Sequence, residues 1–330
     1  MWFDLVSKRY WFFLISGLVI IPGLISLVLP GGLRPGIDFS SGSVLIFHFD
    51  GNDPGQTNVR AVFADLGHPE AIVQRSGDSA YIVRTAVLAD AVRDDSGAVA
   101  SPSEADQLQQ ALAERLGPLT IQGVSQVSPL IAAEIVRNAF LAVIAACAGI
   151  LLYLAWAFRR VRSPWRYGVC AVFSLAHDVL AVVGIFSILG RIFAIELDSL
   201  FIVAILTIIG FSVHNAIVVF DRVRENSDRY LGLPFEDIVN HSLMQTLGRS
   251  LATSLTVILA LFTLWLFGGV TIRNFVLALL IGVAAGTYSS IFNATMLLVV
   301  WENGELKRLV GRIVPLGSEQ QAPSKVRVAH

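Results

Sequence analysis

Ser199-Leu-Phe-Ile-Val-Ala-Ile-Leu-Thr-Ile-Ile-Gly-Phe-Ser-Val-His-Asn-Ala-Ile-Val-Val-Phe-Asp221 is the stretch whose reading decides the fold. It carries no carboxylate, lysine or arginine before Asp221 and is long enough to cross a hydrocarbon core of roughly 30 Å at about 1.5 Å per residue. It therefore reads as a membrane helix. Thr207, Gly210, His214 and Asp221 recur at i, i+3, i+7 and i+14, close to one helical stripe, with Ser212 and Asn215 beside it. An ionisable or strongly polar group inside a span costs up to about 2.5 to 3.5 kcal/mol on insertion scales, so such groups mark either a helix contact or a transport path.

Working outward, comparable apolar runs fall at about 11 to 29, 138 to 158, 167 to 189, 251 to 271 and 274 to 300, which makes six candidate spans. The whole chain, 330 residues at 55% hydrophobic and 15% charged, is too apolar for an ordinary soluble domain. The first run follows Lys8 and Arg9 but exceeds a signal-peptide core and is followed by no small-x-small cleavage site, so it reads as a retained anchor. Cys147 and Cys170 lie inside apolar runs and read as small packing groups.

Loop charge gives the orientation. Lys8 and Arg9, then Arg159, Arg160, Arg162 and Arg166, then Arg222, Arg224 and Arg229, then Lys307, Arg308, Arg312, Lys325 and Arg327 all fall on one side of six spans. Basic short loops favour the cytoplasm, so both termini, residues 1–30 with span one and the tail 301–330, are expected there. Trp11, Trp156, Trp165 and Trp301 sit near those boundaries as an aromatic belt would. Residues 31–136, between spans one and two, are expected outside; they hold 13 of the 25 acidic groups but 6 of the 24 basic ones. That surface excludes nucleic acid as a partner.

The exterior segment reads as a folded α+β unit. Ser43 to Phe49 alternates as a strand; Gln56 to Gly67 puts Val59, Val62, Phe63 and Leu66 on a helical face; Ala71 to Gln74 and Tyr81 to Val87 flank a Ser76-Gly77-Asp78 turn. Ser103 and Asp106 form a capping pattern ahead of a helix striped by Leu108, Leu112 and Leu116, and Leu119 to Val127 is a last strand. The order β-α-β-β-α-β is the ferredoxin-like split, and Asp90 to Pro102 reads as a polar loop within it. The expected fold is thus a polytopic helical membrane protein, spans two to six lying within 137–300, with one exterior ferredoxin-like domain.

Polar groups recur in the other spans: Ser174, His177 and Asp178 in the third; Thr246, Arg249, Ser250, Thr253, Ser254 and Thr256 entering the fifth; Thr287 to Ser290 and Asn293 in the sixth. These helices are expected to face one another around a polar seam. Most of the Ser and Thr groups read as helix glue, Gly282 and Gly286 as a close-packing pair, and Asp221 as an interfacial charge balanced by its basic neighbours. His177 with Asp178 is different, because a desolvated carboxyl beside an imidazole is suited to exchange a proton. Arg249 is a natural partner for an acid of span three or four. No phosphate loop, H-E-x-x-H or Cys/His cluster is present, so no cofactor, no metal and no enzyme activity are expected, and a process driven by an ion gradient is.

Gly36-Ile-Asp-Phe39, Ala176-His-Asp178, Leu206-Thr-Ile-Ile-Gly-Phe-Ser212, Ile217-Val-Val-Phe-Asp-Arg-Val-Arg-Glu-Asn226, Gln245-Thr-Leu-Gly-Arg-Ser250, Thr253-Ser-Leu-Thr256 and Gly286-Thr-Tyr-Ser-Ser290 together resemble SecF, of the SecD/SecF family within the resistance-nodulation-division superfamily. The resemblance implies half of a transporter, completed by a SecD half in a bacterial plasma membrane. It also implies assistance to the SecYEG channel, in which the proton gradient helps an unfolded preprotein out on the far side. A half of a proton-driven small-molecule exporter of the same superfamily is the alternative.

Two departures stand out. Such proteins usually carry Asn-Asp in span four where this chain has His214-Asn215, so the usual intramembrane acid is an amide that cannot titrate near neutral pH. Either His214 or Asp178 takes over the titration, or the SecD half alone carries protons. The candidate set is His177, Asp178, His214, Asn215, Asp221 and Arg249. The second departure is Ser40-Ser41-Gly42, where relatives tend to have a Gly pair after a Thr.

Overall fold

A computed structural model describes residues 4–305, apart from 76–78, 94–98, 160, 162, 270 and 271. The Ser76-Gly77-Asp78 turn, Arg160, Arg162 and the basic tail from Lys307 onward lie outside the described residues.

Six helices are long and apolar enough to span a membrane. They are α1 (Arg9–Val28), α5 (Pro129–Ala157), α6 (Pro164–Phe193), α7 (Ser199–Arg229), α8 (Phe235–Phe267), and a composite sixth span of α9 (Arg273–Tyr288), a π-helical turn (Ser289–Asn293) and α10 (Ala294–Glu302). Several exceed the apolar run that marks them. Helix α5 starts at Pro129 because Ser128 caps it, accepting from the Ile131 N–H, and proline suits the first helical position. Helix α8 starts at Phe235, sixteen residues ahead of the apolar run expected at 251. Hydropathy registers only the part of a helix that lipid must solvate, and helical hydrogen bonding carries the chain further into water.

Between α1 and α5 lie α2 (Ile37–Ser40), β1 (Gly42–Phe49), α3 (Gln56–Asp65), β2 (Ile72–Arg75), β3 (Ala80–Thr85), β4 (Val92–Arg93), β5 (Val99–Ser101), α4 (Glu104–Leu116) and β6 (Leu119–Val127). The main sheet runs β2-β3-β1-β6 with every neighbour antiparallel, which is the ferredoxin-like order. Leu45, Phe47, Phe49, Tyr81 and Val83 point to one face and are covered by Val59, Val62 and Phe63 of α3 and Leu108 and Leu112 of α4. Leu66, expected on that apolar face, is exposed just past the end of α3. Ser103 and Asp106 form a reciprocal capping box at the start of α4. Asp90 to Pro102 is not wholly loop: β4 and β5 pair there as a short antiparallel ladder, Val92 opposite Ser101 and Arg93 opposite Val99.

The membrane helices are unequally enclosed. Spans three, four and six are about half buried, whereas few residues of α1, α5 and α8 are fully buried. Gly23 of α1 and Gly184 of α6 bring those helices into backbone contact; a Cβ on either would lie 2.7 to 2.8 Å from the other's Cα. Above that contact Ser26 and Ser187 share a 2.7 Å hydrogen bond, and Arg191 donates to the Ser26, Leu29 and Pro30 carbonyls at the end of α1. At the opposite end of the bundle Arg9 pairs with Glu305 at 2.6 Å and Glu236 at 3.4 Å, and Arg166 pairs with Glu302. The described chain ends therefore meet at the face away from the α+β domain.

Candidate functional site

The site is built where α6, α7 and α9 cross. Asp178 is fully buried there. Its Oδ2 accepts a 2.5 Å hydrogen bond from Ser212 Oγ of α7, and its Oδ1 lies 3.2 Å from Nδ1 of His177, the preceding residue. Gly286 makes the third wall: a Cβ there would stand 3.2 Å from Ser212 Cβ and 3.4 Å from Asp178 Oδ2. The glycine lets α9 approach closely enough to seal the carboxyl between three helices. One turn away, Gly282 leaves room for the Ile208 side chain, which would overlap any Cβ at that position.

The two sides of Asp178 differ in polarity. Toward the α+β domain stand Val182, Phe186, Ile205, Ile208 and Phe201, all buried and apolar. Away from it, one helical turn along each wall, stand Ser174 of α6, Asn215 of α7 and Ser289 and Ser290 of the π-helical turn, all buried. Ser174 Oγ, His177 Nε2 and Asn215 Nδ2 are buried without a hydrogen-bond partner. Polar atoms in a membrane interior without partners are costly, and they cluster at sites that hold water or exchange protons. The polar side of Asp178 thus faces the end of the bundle where Arg9 pairs with Glu305.

The sixth span is tied into this site through its irregular turn. Ser290 Oγ donates to the Gly286 carbonyl at 2.6 Å, Thr287 Oγ1 reaches Ser254 Oγ of α8 at 2.8 Å, Tyr288 donates to the Phe12 carbonyl of α1 at 2.7 Å, and Asn293 Nδ2 donates to Ser16 at 2.6 Å. A π turn inside an α-helix is rare and recurs at functional sites. Sequence reasoning identified the hydroxyls but not the turn, which has no periodic signature.

The structure divides the candidate residues into two groups. His177, Asp178 and Asn215 are inside, with Ser174 and Ser212. His214, Asp221 and Arg249 are exposed on the outside of this bundle. Thr207, Gly210, His214 and Asp221 do share a stripe, but that stripe points away from α6 and α9. Asp221 pairs with Arg224 one turn on, at 2.7 Å. Arg249 is exposed on α8 beside Thr253 and makes no pair with Asp178 or Asp221 among the described residues. The seam expected to gather all these groups is therefore split, with His177, Asp178 and Asn215 enclosed and His214, Asp221 and Arg249 exposed. Among the described residues no group of three metal-ligating side chains comes together.

A six-span helical membrane protein with a ferredoxin-like domain after its first span and a buried carboxyl between spans three, four and six belongs to the class of membrane transport subunits. The chain is a member of the SecD/SecF family: residues 107–304 match the C-terminal family model described as "Protein export membrane protein SecD/SecF". It is 48% identical over 313 residues to the protein translocase subunit SecF of Thermobaculum terrenum, covering 94% of this chain and 98% of that one. It is 36% identical to the SecDF of Bacillus subtilis, covering 92% of this chain and 39% of that longer one. The crystal structure of Thermus thermophilus SecDF, described as a translocon-associated membrane protein, superposes with a TM-score of 0.74 at 31% identity, over 92% of this chain and 39% of that one. The chain thus spans about two fifths of the fused relatives and 78% to 98% of the separate ones.

Proposed function

We propose that this chain works with a SecD-type half in the bacterial plasma membrane, both termini in the cytoplasm, to help preproteins leave the SecYEG channel, and that the proton gradient drives it through Asp178. The observation that carries the reading is the Asp178 carboxyl itself, fully buried with Ser212 and His177 as its hydrogen-bonded neighbours. An ionisable group in mid-span is a functional-site candidate by default. With Asn215 an amide, Asp178 is the only carboxyl among the buried groups of the described spans.

The outward stripe of α7 supports a partner half. Thr207, Gly210 and His214, with Arg249 and Thr253 of α8, are poor surfaces for lipid and suit another polar helix pair. Relatives in which SecD and SecF are one polypeptide supply the obvious candidate. The basic ends Arg9 and Arg166 collect opposite the α+β domain, which supports placing that domain outside.

Copurification from membranes tests the reading. Recovery with a six-span SecD half and the SecYEG channel is expected. Recovery alone, or with a small lipophilic ligand, would contradict it.

A further inference from the structure

At the end of the bundle away from the α+β domain, the end of α5, the α5–α6 connection, the last turns of α7 and α10 and the start of α8 surround a cavity of about 750 Å³. Two of its apolar walls, Trp156 and Leu231, are 62% and 86% exposed. Helices α5, α7 and α8, of 29, 31 and 33 residues, are longer than a hydrocarbon core of roughly 30 Å requires, so their ends reach the headgroup layer. Trp156 and Trp165, both exposed, mark that boundary as interfacial tryptophans do.

Four charged side chains line the cavity: Arg159, Arg224, Asp228 and Glu302. Two of them are matched within the chain, because Arg224 pairs with Asp221 at 2.7 Å and Glu302 pairs with Arg166. Arg159 and Asp228 remain. Arg159 lies over the Trp156 ring, 5.4 Å from its centroid, and neither it nor Asp228 has an ion pair or a side-chain hydrogen bond among the described residues. One unmatched cation and one unmatched anion therefore face the same cavity without closing on each other.

We propose that this cavity binds the headgroup of an aminophospholipid, with its phosphate on Arg159 and its primary ammonium on Asp228. Charge complementarity selects that class. A zwitterionic head carrying N–H donors matches both free groups at once, each through a charge-assisted hydrogen bond. A glycerol head brings a phosphate to Arg159 but no cation to Asp228, and a choline head brings a cation with no N–H to donate. The orientation follows from the lipid's own connectivity, since the phosphate adjoins the glycerol and its chains. Arg159 stands on Trp156, and Leu152 and Tyr153, one turn back along α5, are 62% and 52% exposed, an apolar track for an acyl chain. None of these groups touches Asp178, so the site stands or falls apart from the proton reading.

Native mass spectrometry of the full chain, purified in detergent and stripped of lipid, tests this with phosphatidylethanolamine, phosphatidylcholine and phosphatidylglycerol of equal chain length. Wild type is expected to bind phosphatidylethanolamine about tenfold or more tightly than either of the others. Asp228→Asn is expected to abolish the preference over phosphatidylcholine, and Arg159→Gln to weaken all three lipids alike. Neither substitution breaks an ion pair among the described residues, so both variants are expected to keep the wild-type unfolding midpoint, which separates loss of the site from loss of the fold. Glycerophosphoethanolamine, the same head without chains, is expected not to displace the lipid at equal concentration; displacement would make a soluble phosphodiester the ligand and overturn the lipid assignment. Equal affinity for the three lipids in wild type, or a preference that survives Asp228→Asn, would overturn the site itself.

Discussion

Asp178 and Gly286 depend on each other at van der Waals distance. Gly286→Ala places a methyl 3.2 Å from Ser212 Cβ, tighter than side chains tolerate without moving. The neighbours can shift by a few tenths of an ångström, but only by disturbing the hydroxyl that holds Asp178. A loss of about 1 to 3 kcal/mol is expected, the usual cost of overpacking, seen as a lower thermal unfolding midpoint in detergent. His214→Ala is the matched control. His214 is exposed in this bundle, so the isolated chain should change by less than about 0.5 kcal/mol. A large destabilisation by His214→Ala would mean that the outward stripe is packed within this chain after all.

Helices α1 and α6 act as one element because Gly23 and Gly184 touch through their backbones. Gly184→Ala inserts a methyl 2.8 Å from Gly23 Cα, where nothing flexible can yield. The helices must separate, which strains the Arg191 contacts with the Leu29 and Pro30 carbonyls. Thermal unfolding should therefore fall further than for Gly286→Ala, and an unchanged midpoint would show that α1 is not fixed by this contact. Within the α+β domain, Ser103→Ala removes the α4 cap, and faster hydrogen exchange in the first turn of α4 is expected, corresponding to about 1 kcal/mol.

At this scale the sequence was legible where physics is local. Twenty apolar residues announce a span, and Ser103 with Asp106 announces a helix start, because lipid and capping act on contiguous chain. The ends of α5 and α8 were not legible, since hydropathy falls silent once a helix leaves lipid. The π turn at Ser289–Asn293 follows Thr287, which reaches α8, and Tyr288, which reaches α1, contacts between helices that no window along the chain reveals.

The whole molecule shows the limit more sharply. Periodicity correctly put Thr207, Gly210, His214 and Asp221 on one stripe, but it cannot say whether a polar stripe points into its own bundle or toward another. In water the hydrophobic effect settles that question; in lipid an outward polar stripe is tolerable when a partner covers it. Asp178 was legible as a buried acid, whereas its enclosure by Gly286 and Ser212 is a matter of helix crossing. The molecule therefore has an enclosed carboxyl between spans three, four and six, and an outward polar surface on spans four and five. On the proposed function the enclosed carboxyl carries protons and the outward surface meets the other half of the complex.

Export driven by an imposed proton gradient, measured in membrane vesicles that contain the complete complex, tests that assignment most directly. With Asp178→Asn the gradient-dependent part of export is expected to disappear while the chain remains assembled with its partner. Gradient dependence equal to wild type in that assembled variant would contradict a proton role for Asp178 and leave this half a scaffold.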